Sequence, residues 1–278
     1  MNRPSWAPPE VDIEKPSIAR VYDYWVGGTH NFPADVAVAK SIADKNPLLP
    51  RTLRSNRAFL RRAVKELTDL GIDQFLDIGS GIPTEGNVHE VALENNPDSR
   101  VLYVDIDPVA VAHGKAILAD NRQAASLLGD LREPGDIFAA QETEDLIDFS
   151  RPVALILAAV LHFISDADDP KAMLRQFTDK LAPGSYVVIS HAGMEKKPAP
   201  EDVPASASQT YQENVSEVYW RDLGEVTALF EGLELIEPGV VPVPVWRIGP
   251  EGDPEGFGAE AHALAGVAKK VWCAARPR

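Results

Sequence analysis

The sequence has one cysteine, Cys273, among 278 residues. That count excludes an internal disulfide and any metal cage built from thiolates; Cys273 itself reads as a small buried residue of a late strand. Long apolar runs are also missing. The longest, 153–164, is too short to cross a bilayer and contains His162. The first ten residues, Met-Asn-Arg-Pro-Ser-Trp-Ala-Pro-Pro-Glu, lack the apolar core of a signal peptide, so a cytoplasmic protein is expected. Positive charge is scarce: 27 Lys and Arg face 42 Asp and Glu, a net charge of −15. Nucleic acid and anionic membranes both attract a basic footprint, so neither is expected as a partner. The histidines are scattered without metal-ligand spacing, and no metal is expected.

What is present is an ordinary globular composition, enough for one large domain or a domain with an appendage. Residues 1–16, rich in proline and polar groups, read as a loose arm. Residues 17–50 carry aromatics and a Gly-Gly pair, with a short helix over 35–44. A longer helix is expected over 51–70, because Leu53, Phe59, Leu60, Ala63, Val64, Leu67 and Leu70 recur at three- and four-residue steps. From residue 74 short apolar runs alternate with helical patterns. Strands are expected at 75–78, 101–104, 125–128, 153–157 and 186–190, and helices at 87–95, 109–121 and 170–181. That alternation predicts βαβ units and a mostly parallel sheet. Residues 192–208 form a long Pro/Ala/Glu-rich loop that suggests a lid. Helical stretches at 208–218 and 223–230 follow, then strands at 234–236, extendable by 240–245, and at 270–275, with a glycine- and acid-rich loop at 249–258.

Three acid-bearing strand ends carry the chemistry. Asp77-Ile78-Gly79-Ser80-Gly81 closes the first strand with a tight turn that lets backbone approach a ligand. A dinucleotide fingerprint would need glycine at position 84, where this chain has Thr84. An acid beside a glycine turn suits a ligand with an ammonium and a sulfonium, namely S-adenosylmethionine; the alternative is an ordinary glycine-rich turn. Asp105 lies 28 positions after Asp77, where a βαβ unit places a ribose-binding acid. Asp107-Pro108 reads rather as a helix N-cap. Gly129-Asp130-Leu131-Arg132 would set Asp130 on an adenine amino group and Leu131 on its ring, or would be a plain turn.

With these marks in this order, the chain from about residue 72 resembles the class I S-adenosylmethionine-dependent methyltransferases. Its whole length is similar to an actinobacterial S-adenosyl methyltransferase-like family, through Ala19-Arg20-Val21-Tyr22-Asp23-Tyr24, Gly27-Gly28, Asn56-Arg57-Ala58-Phe59-Leu60, the run from Gln74 to Thr84, and Asn87-Val88-His89-Glu90. The resemblance implies a Rossmann-like α/β fold: a seven-stranded, mostly parallel sheet with its last strand antiparallel. It implies an N-terminal arm and helical cap at 1–70 and a methyltransferase domain at 71–278. Cofactor contacts are implied at Asp77, Gly79, Ser80, Gly81, Asp105, Ile106, Asp130, Leu131 and Ala158. Ile82 replaces a third glycine common in the wider class.

The remaining candidates are less determined. His162, after the fourth strand, is either a general base or a packing histidine. Tyr22, Tyr24 and Trp25 either pack over a sulfonium or cationic acceptor or anchor the cap, with Gly28 as part of a flexible joint. His30, Asn31 and Asp35 could line the same wall. Arg57 either pairs with the methionine carboxylate or faces solvent. His191, Trp220-Arg221 and Trp246-Arg247 read as structural neighbours of an acceptor pocket. The expected function is methyl transfer from S-adenosylmethionine to a small-molecule acceptor, with S-adenosylhomocysteine as product; a non-catalytic protein binding either molecule is the alternative. A nicotinamide-dependent oxidoreductase is disfavoured by Thr84 and by the position of Asp77. The oligomeric state is not readable from the sequence.

Overall fold

The computed structural model describes residues 3–84, 86–196, 217–249, 252–253, 255–257 and 261–271. Three helices come first: α1 (Ile18–Trp25), α2 (Pro33–Lys45) and α3 (Leu48–Asp69). Helix α3 forms where the periodicity placed it, and its buried stripe includes Leu53, Phe59, Leu60, Ala63, Val64 and Leu67. Next come β1 (Gln74–Ile78), α4 (Val88–Asn95), β2 (Arg100–Asp105), α5 (Pro108–Ile117), β3 (Ala124–Leu128), α6 (Pro134–Ala139), α7 (Gln141–Leu146) and β4 (Ala154–Ala158). The chain continues through α8 (Pro170–Lys180), β5 (Tyr186–Met194), β6 (Arg221–Asp222), α9 (Leu223–Thr227), β7 (Glu234–Leu235), β8 (Val241–Pro242) and β9 (Ala263–Lys269).

Seven strands run β3-β2-β1-β4-β5-β9-β7 across one sheet, with β6 beside β5 and β8 beside β9. β1 to β5 are mutually parallel where they pair, and β9 alone runs against its neighbours β5 and β7. Side chains alternate between the two faces, as strand geometry requires. Phe75, Val101, Tyr103 and Ile156 face one core with Phe59, Leu67 and Trp246; Leu76, Leu102, Leu155 and Val187 face another with Ile137, Met173 and Phe177. This alternation puts Asp77 on the same face as Phe75, beneath α3.

Local signals explain most boundaries. The Asp107 carboxylate accepts from the Val109 amide and Pro108 opens α5, the N-cap arrangement expected of Asp-Pro. Asn87 and Glu90 form a capping box on α4.

Four expectations need correction. The last strand is Ala263–Lys269, with Lys270 and Val271 beyond it, rather than 270–275. Its alanine- and glycine-rich run is buried between neighbouring strands, where small side chains fit and alternation is not required. Residues 240–245 do not extend β7; Val241–Pro242 is a separate strand on β9. The pair α6–α7 fills a stretch that showed no helical pattern, each helix being only six residues long. Residues 3–16 are not a loose arm. Ala7 and Val11 are buried and Trp6 stacks on Phe32 at 5.0 Å between ring centroids. Most of the lid expected at 192–208, nearly all of the helix at 208–218, and Cys273 lie outside the described residues, as does part of the loop at 249–258.

Candidate functional site

Parallel strands all end on the same edge of the sheet, and the turns there open into one cavity. Its volume is about 680 Å³, within the range of small-ligand sites. The ends of β1 to β4 form the floor. Helix α3 contributes Asn56, Arg57 and Leu60, while Tyr22 of α1 and the segment from Asp12 to Arg20 close the remaining side.

The turn after β1 is tied to β2 by hydrogen bonds. The Gly79 amide donates to the Val104 carbonyl at 2.8 Å, and the Gly81 amide to Oδ2 of Asp105 at 2.7 Å. Gly79 has φ +71°, and a Cβ there would lie 2.5 Å from the Val160 side chain, so only glycine fits. Asp105 holds the Asp107 amide through Oδ1 at 2.8 Å. Each carboxylate oxygen therefore has one lone pair engaged and one remaining for a ligand hydroxyl. Burial raises the Asp105 carboxyl above its ordinary range, opposed by these amides. Asp77 is also buried and is pushed up to about 7, chiefly by desolvation; Arg57 opposes that shift and Asp105 adds to it.

Arg57 donates through Nη1 to Asn87 Oδ1, and its guanidinium lies 5.8 Å from the centre of the Tyr22 ring. Its Nε is buried with no hydrogen-bond partner among the described residues. Beside it, Ser190 Oγ accepts from the Ala159 amide and donates to Asn56 Oδ1 at 2.6 Å. The Asn56 amide is thereby oriented, leaving its NH₂ as a donor. Asp130 lines the cavity with its carboxylate held by Arg132, whose side-chain hydrogen bonds, more than its charge, lower the Asp130 pKa. Leu131 and Ile106 add apolar surface, Ile106 being 57 % exposed. Two largely buried carboxyls, a guanidinium Nε without a partner among the described residues, an oriented side-chain amide and apolar side chains fit a ligand with an ammonium, hydroxyls, a carboxylate and an aromatic base. S-adenosylmethionine carries all four.

The cavity thus brings together Tyr22, Arg57, Asp77, Gly79, Ser80, Gly81, Asp105, Ile106, Asp130, Leu131, Ala158 and His162. Tyr24 and Gly28 are not among its lining residues. Tyr24 packs with Val21, Trp25 and Leu49 within the helical cap. Gly28 gives room to the Asp23 carboxylate, which would lie 1.9 Å from a Cβ and which holds the His30 amide and the Asn31 side chain. Asp35 is buried against Arg20 at 2.9 Å, and His30 packs on Trp6. Trp246 lies against Phe59 beneath α3, and Arg247 pairs with Glu66. Trp220 meets His262 edge-on. His191 and Arg221 stand behind His162, outside the lining.

Sequence reasoning missed Lys15, Ser17 and Asn56 as cavity residues. Only Asn56 carried a signal, inside the motif Asn56-Arg57. Ala159 holds φ +59°, which an alanine rarely adopts and which nothing in the sequence announces.

A family model described as S-adenosyl methyltransferase matches residues 4–271. Among solved structures, a candidate methyltransferase from Thermobifida fusca YX is 38% identical, with 97% of this chain and 100% of that one covered and a TM-score of 0.83. A DUF574-family protein from Streptomyces avermitilis MA-4680 is 35% identical over 93% and 99% of the two chains, also with a TM-score of 0.83. No curated protein matches the chain. Likeness that extends over arm, cap and sheet together goes well beyond a shared glycine turn, and with it the chain belongs to the S-adenosyl methyltransferase family and is an S-adenosylmethionine-dependent methyltransferase.

Proposed function

We propose that the protein methylates a small-molecule acceptor inside the cavity at the ends of β1 to β4. One observation carries this reading: Asp77, Asp105 and Asp130, at the ends of three adjacent parallel strands, share one cavity with Arg57 of α3 and Tyr22 of α1. S-adenosylmethionine supplies an electrophilic methyl group on a sulfonium. Asp77 attracts the ammonium, Arg57 and Asn56 hold the carboxylate, and Asp105 accepts from the ribose hydroxyls. Ile106 and Leu131 cover the adenine, with Asp130 at its amino group. Tyr22 turns its ring toward the sulfonium, and ring faces attract cations. The protein's contribution is orientation and exclusion of water, which can account for much of the rate of an in-line displacement.

A small acceptor fits both a cavity of about 680 Å³ and a net charge of −15, which repels nucleic acid. In this reading residues 1–70 are arm and cap, and 71–278 the methyltransferase domain. A cytoplasmic location agrees with this chemistry, and among the described residues no helix is long and apolar enough to cross a membrane.

Calorimetry with S-adenosylhomocysteine tests the site. Asp105→Ala should weaken binding by about 1.5–3 kcal/mol, the worth of a hydrogen bond to a charged group. Unchanged affinity would remove Asp105 from the site. Incubation with methyl-labelled S-adenosylmethionine and a small-metabolite fraction should transfer label to a low-mass product; label appearing only in macromolecules would overturn the small acceptor.

A further inference from the structure

We propose that His162 meets the methyl acceptor as a neutral hydrogen-bond donor through Nε2–H, held in that form by Ala192, His191 and Arg221, so that the acceptor must bring its own lone pair. The inference rests on reading this cavity as the site of methyl transfer.

The argument begins at Arg221, a buried cation on β6. Its Nη2 donates to Asp166 Oδ1 at 2.6 Å and to the Ile164 carbonyl at 2.9 Å. Its Nη1 donates to the Leu161 carbonyl at 3.1 Å and lies 2.7 Å from His191 Nε2. A guanidinium has donors only, so His191 Nε2 must present a lone pair. The His191 proton is then on Nδ1, which donates to the Ala192 carbonyl at 2.8 Å. The Ala192 amide donates in turn to His162 Nδ1 at 3.4 Å. An amide N–H offers no lone pair either, so the neutral His162 ring carries its proton on Nε2.

His162 lines the cavity between Phe163, at 4.3 Å, and the edge of His191, at 5.7 Å. The charged and titratable groups facing it are His191 from β5 and Arg221 from β6, with Asp166 bound to the far side of that guanidinium. A second proton on His191 would go to Nε2 and meet the Arg221 cation; one on His162 would go to Nδ1 and meet the Ala192 amide. Burial first, then these neighbours, holds His162 well below the ordinary histidine range, and burial takes His191 down to about 4.

A general base needs a free lone pair aimed at the substrate. The single ring lone pair of His162 is on Nδ1 and is occupied by the Ala192 amide. In the transfer the acceptor atom gives its lone pair to the methyl carbon, and the carbon–sulfur bond breaks with its electron pair going to sulfur. Any proton on the acceptor passes to bulk water, before binding or after transfer. The acceptor class is therefore a phenolate- or enolate-type oxygen, or an unprotonated ring nitrogen, with a nearby oxygen or nitrogen that accepts from His162. Alkyl alcohols, which need a base at the moment of attack, would find none in His162.

Ring ¹⁵N–¹H correlation spectra of the ¹⁵N-histidine-labelled protein, free and with S-adenosylhomocysteine, test this. His162→Gln and His191→Gln assign the signals. The expected result is His162 protonated at Nε2 and His191 at Nδ1, with neither titrating between about pH 5.5 and 8.5, where an ordinary histidine would. Arg221→Met should give His191 a titration moved toward about 6.5. In the unsubstituted protein, His162 protonated at Nδ1 or titrating in this range overturns the proposal whatever the fate of the variants. Cavity-lining amides that fail to shift with S-adenosylhomocysteine would instead sink the methyl-transfer reading of the cavity, leaving the histidine tautomers as a separate result.

Discussion

A carboxyl group at the inner end of β1 meets two opposed demands, since burial favours its neutral form and a ligand ammonium favours its anion. With Asp77 at about 7, the empty site holds a proton that S-adenosylhomocysteine should displace. Affinity is then expected to fall as pH drops below about 7, by at most about tenfold per unit. Calorimetry in buffers of different ionisation enthalpy should show proton release on binding, and Asp77→Asn should abolish it. Stability of the ligand-free protein takes the opposite sign. The folded state holds the Asp77 proton more tightly than the unfolded chain, so this group's contribution is fully present below its ordinary value of 3.8 and is lost as pH rises through about 7. Asp77→Asn should flatten that part of the pH–stability curve. Gly79→Ala tests sterics rather than charge. A left-handed backbone costs about 1–3 kcal/mol for a residue that does not favour it, and the new Cβ would also press on Val160, so denaturant unfolding should register the loss.

At the scale of elements, the N-terminal segment is held together by contacts between residues far apart in it, which no local pattern reveals. Arg20 of α1 and Asp35 of α2 form a fully buried pair, and Arg20 also donates to the Asp12 and Lys15 carbonyls. Asp35 in turn accepts from the Ser17 and Phe32 amides. Removing one member of a buried pair typically costs about 3–5 kcal/mol, because the other is left uncompensated. Asp35→Ala should therefore speed amide exchange across residues 3–45 and weaken S-adenosylhomocysteine binding, although Asp35 does not line the cavity. Such long-range ties explain what the sequence made legible. Strand-to-acid transitions at Asp77, Asp105 and Asp130 are local events, and the amphipathic stripe of α3 is a local period, so both could be read directly. The packing of Trp6 on Phe32 joins residues with no shared period, and α6 and α7 are too short to develop one. Gly28 shows the converse: its pairing with Gly27 suggested a hinge, whereas its small size serves the Asp23 carboxylate.

Across the whole molecule, ligand binding and folding are linked, because the cavity draws its walls from the arm, the cap and the sheet together. S-adenosylhomocysteine at one hundred times its dissociation constant should add about 2.7 kcal/mol to the unfolding free energy. Thermal unfolding of the protein with and without it should show one transition moving upward as a unit; a cap transition that stays fixed while the sheet shifts would show the two to be uncoupled. The sheet itself has an ordering problem built into it. β9 lies between β5 and β7, which precede it in the chain, and among the described residues β7 pairs with no other strand. During synthesis the backbone groups of β5 from Tyr186 to Ala192 must therefore wait for Ala263–Lys269 to emerge from the ribosome. Until then the nascent chain presents an open strand edge, the kind of surface that chaperones shield and that pairs wrongly with neighbouring copies.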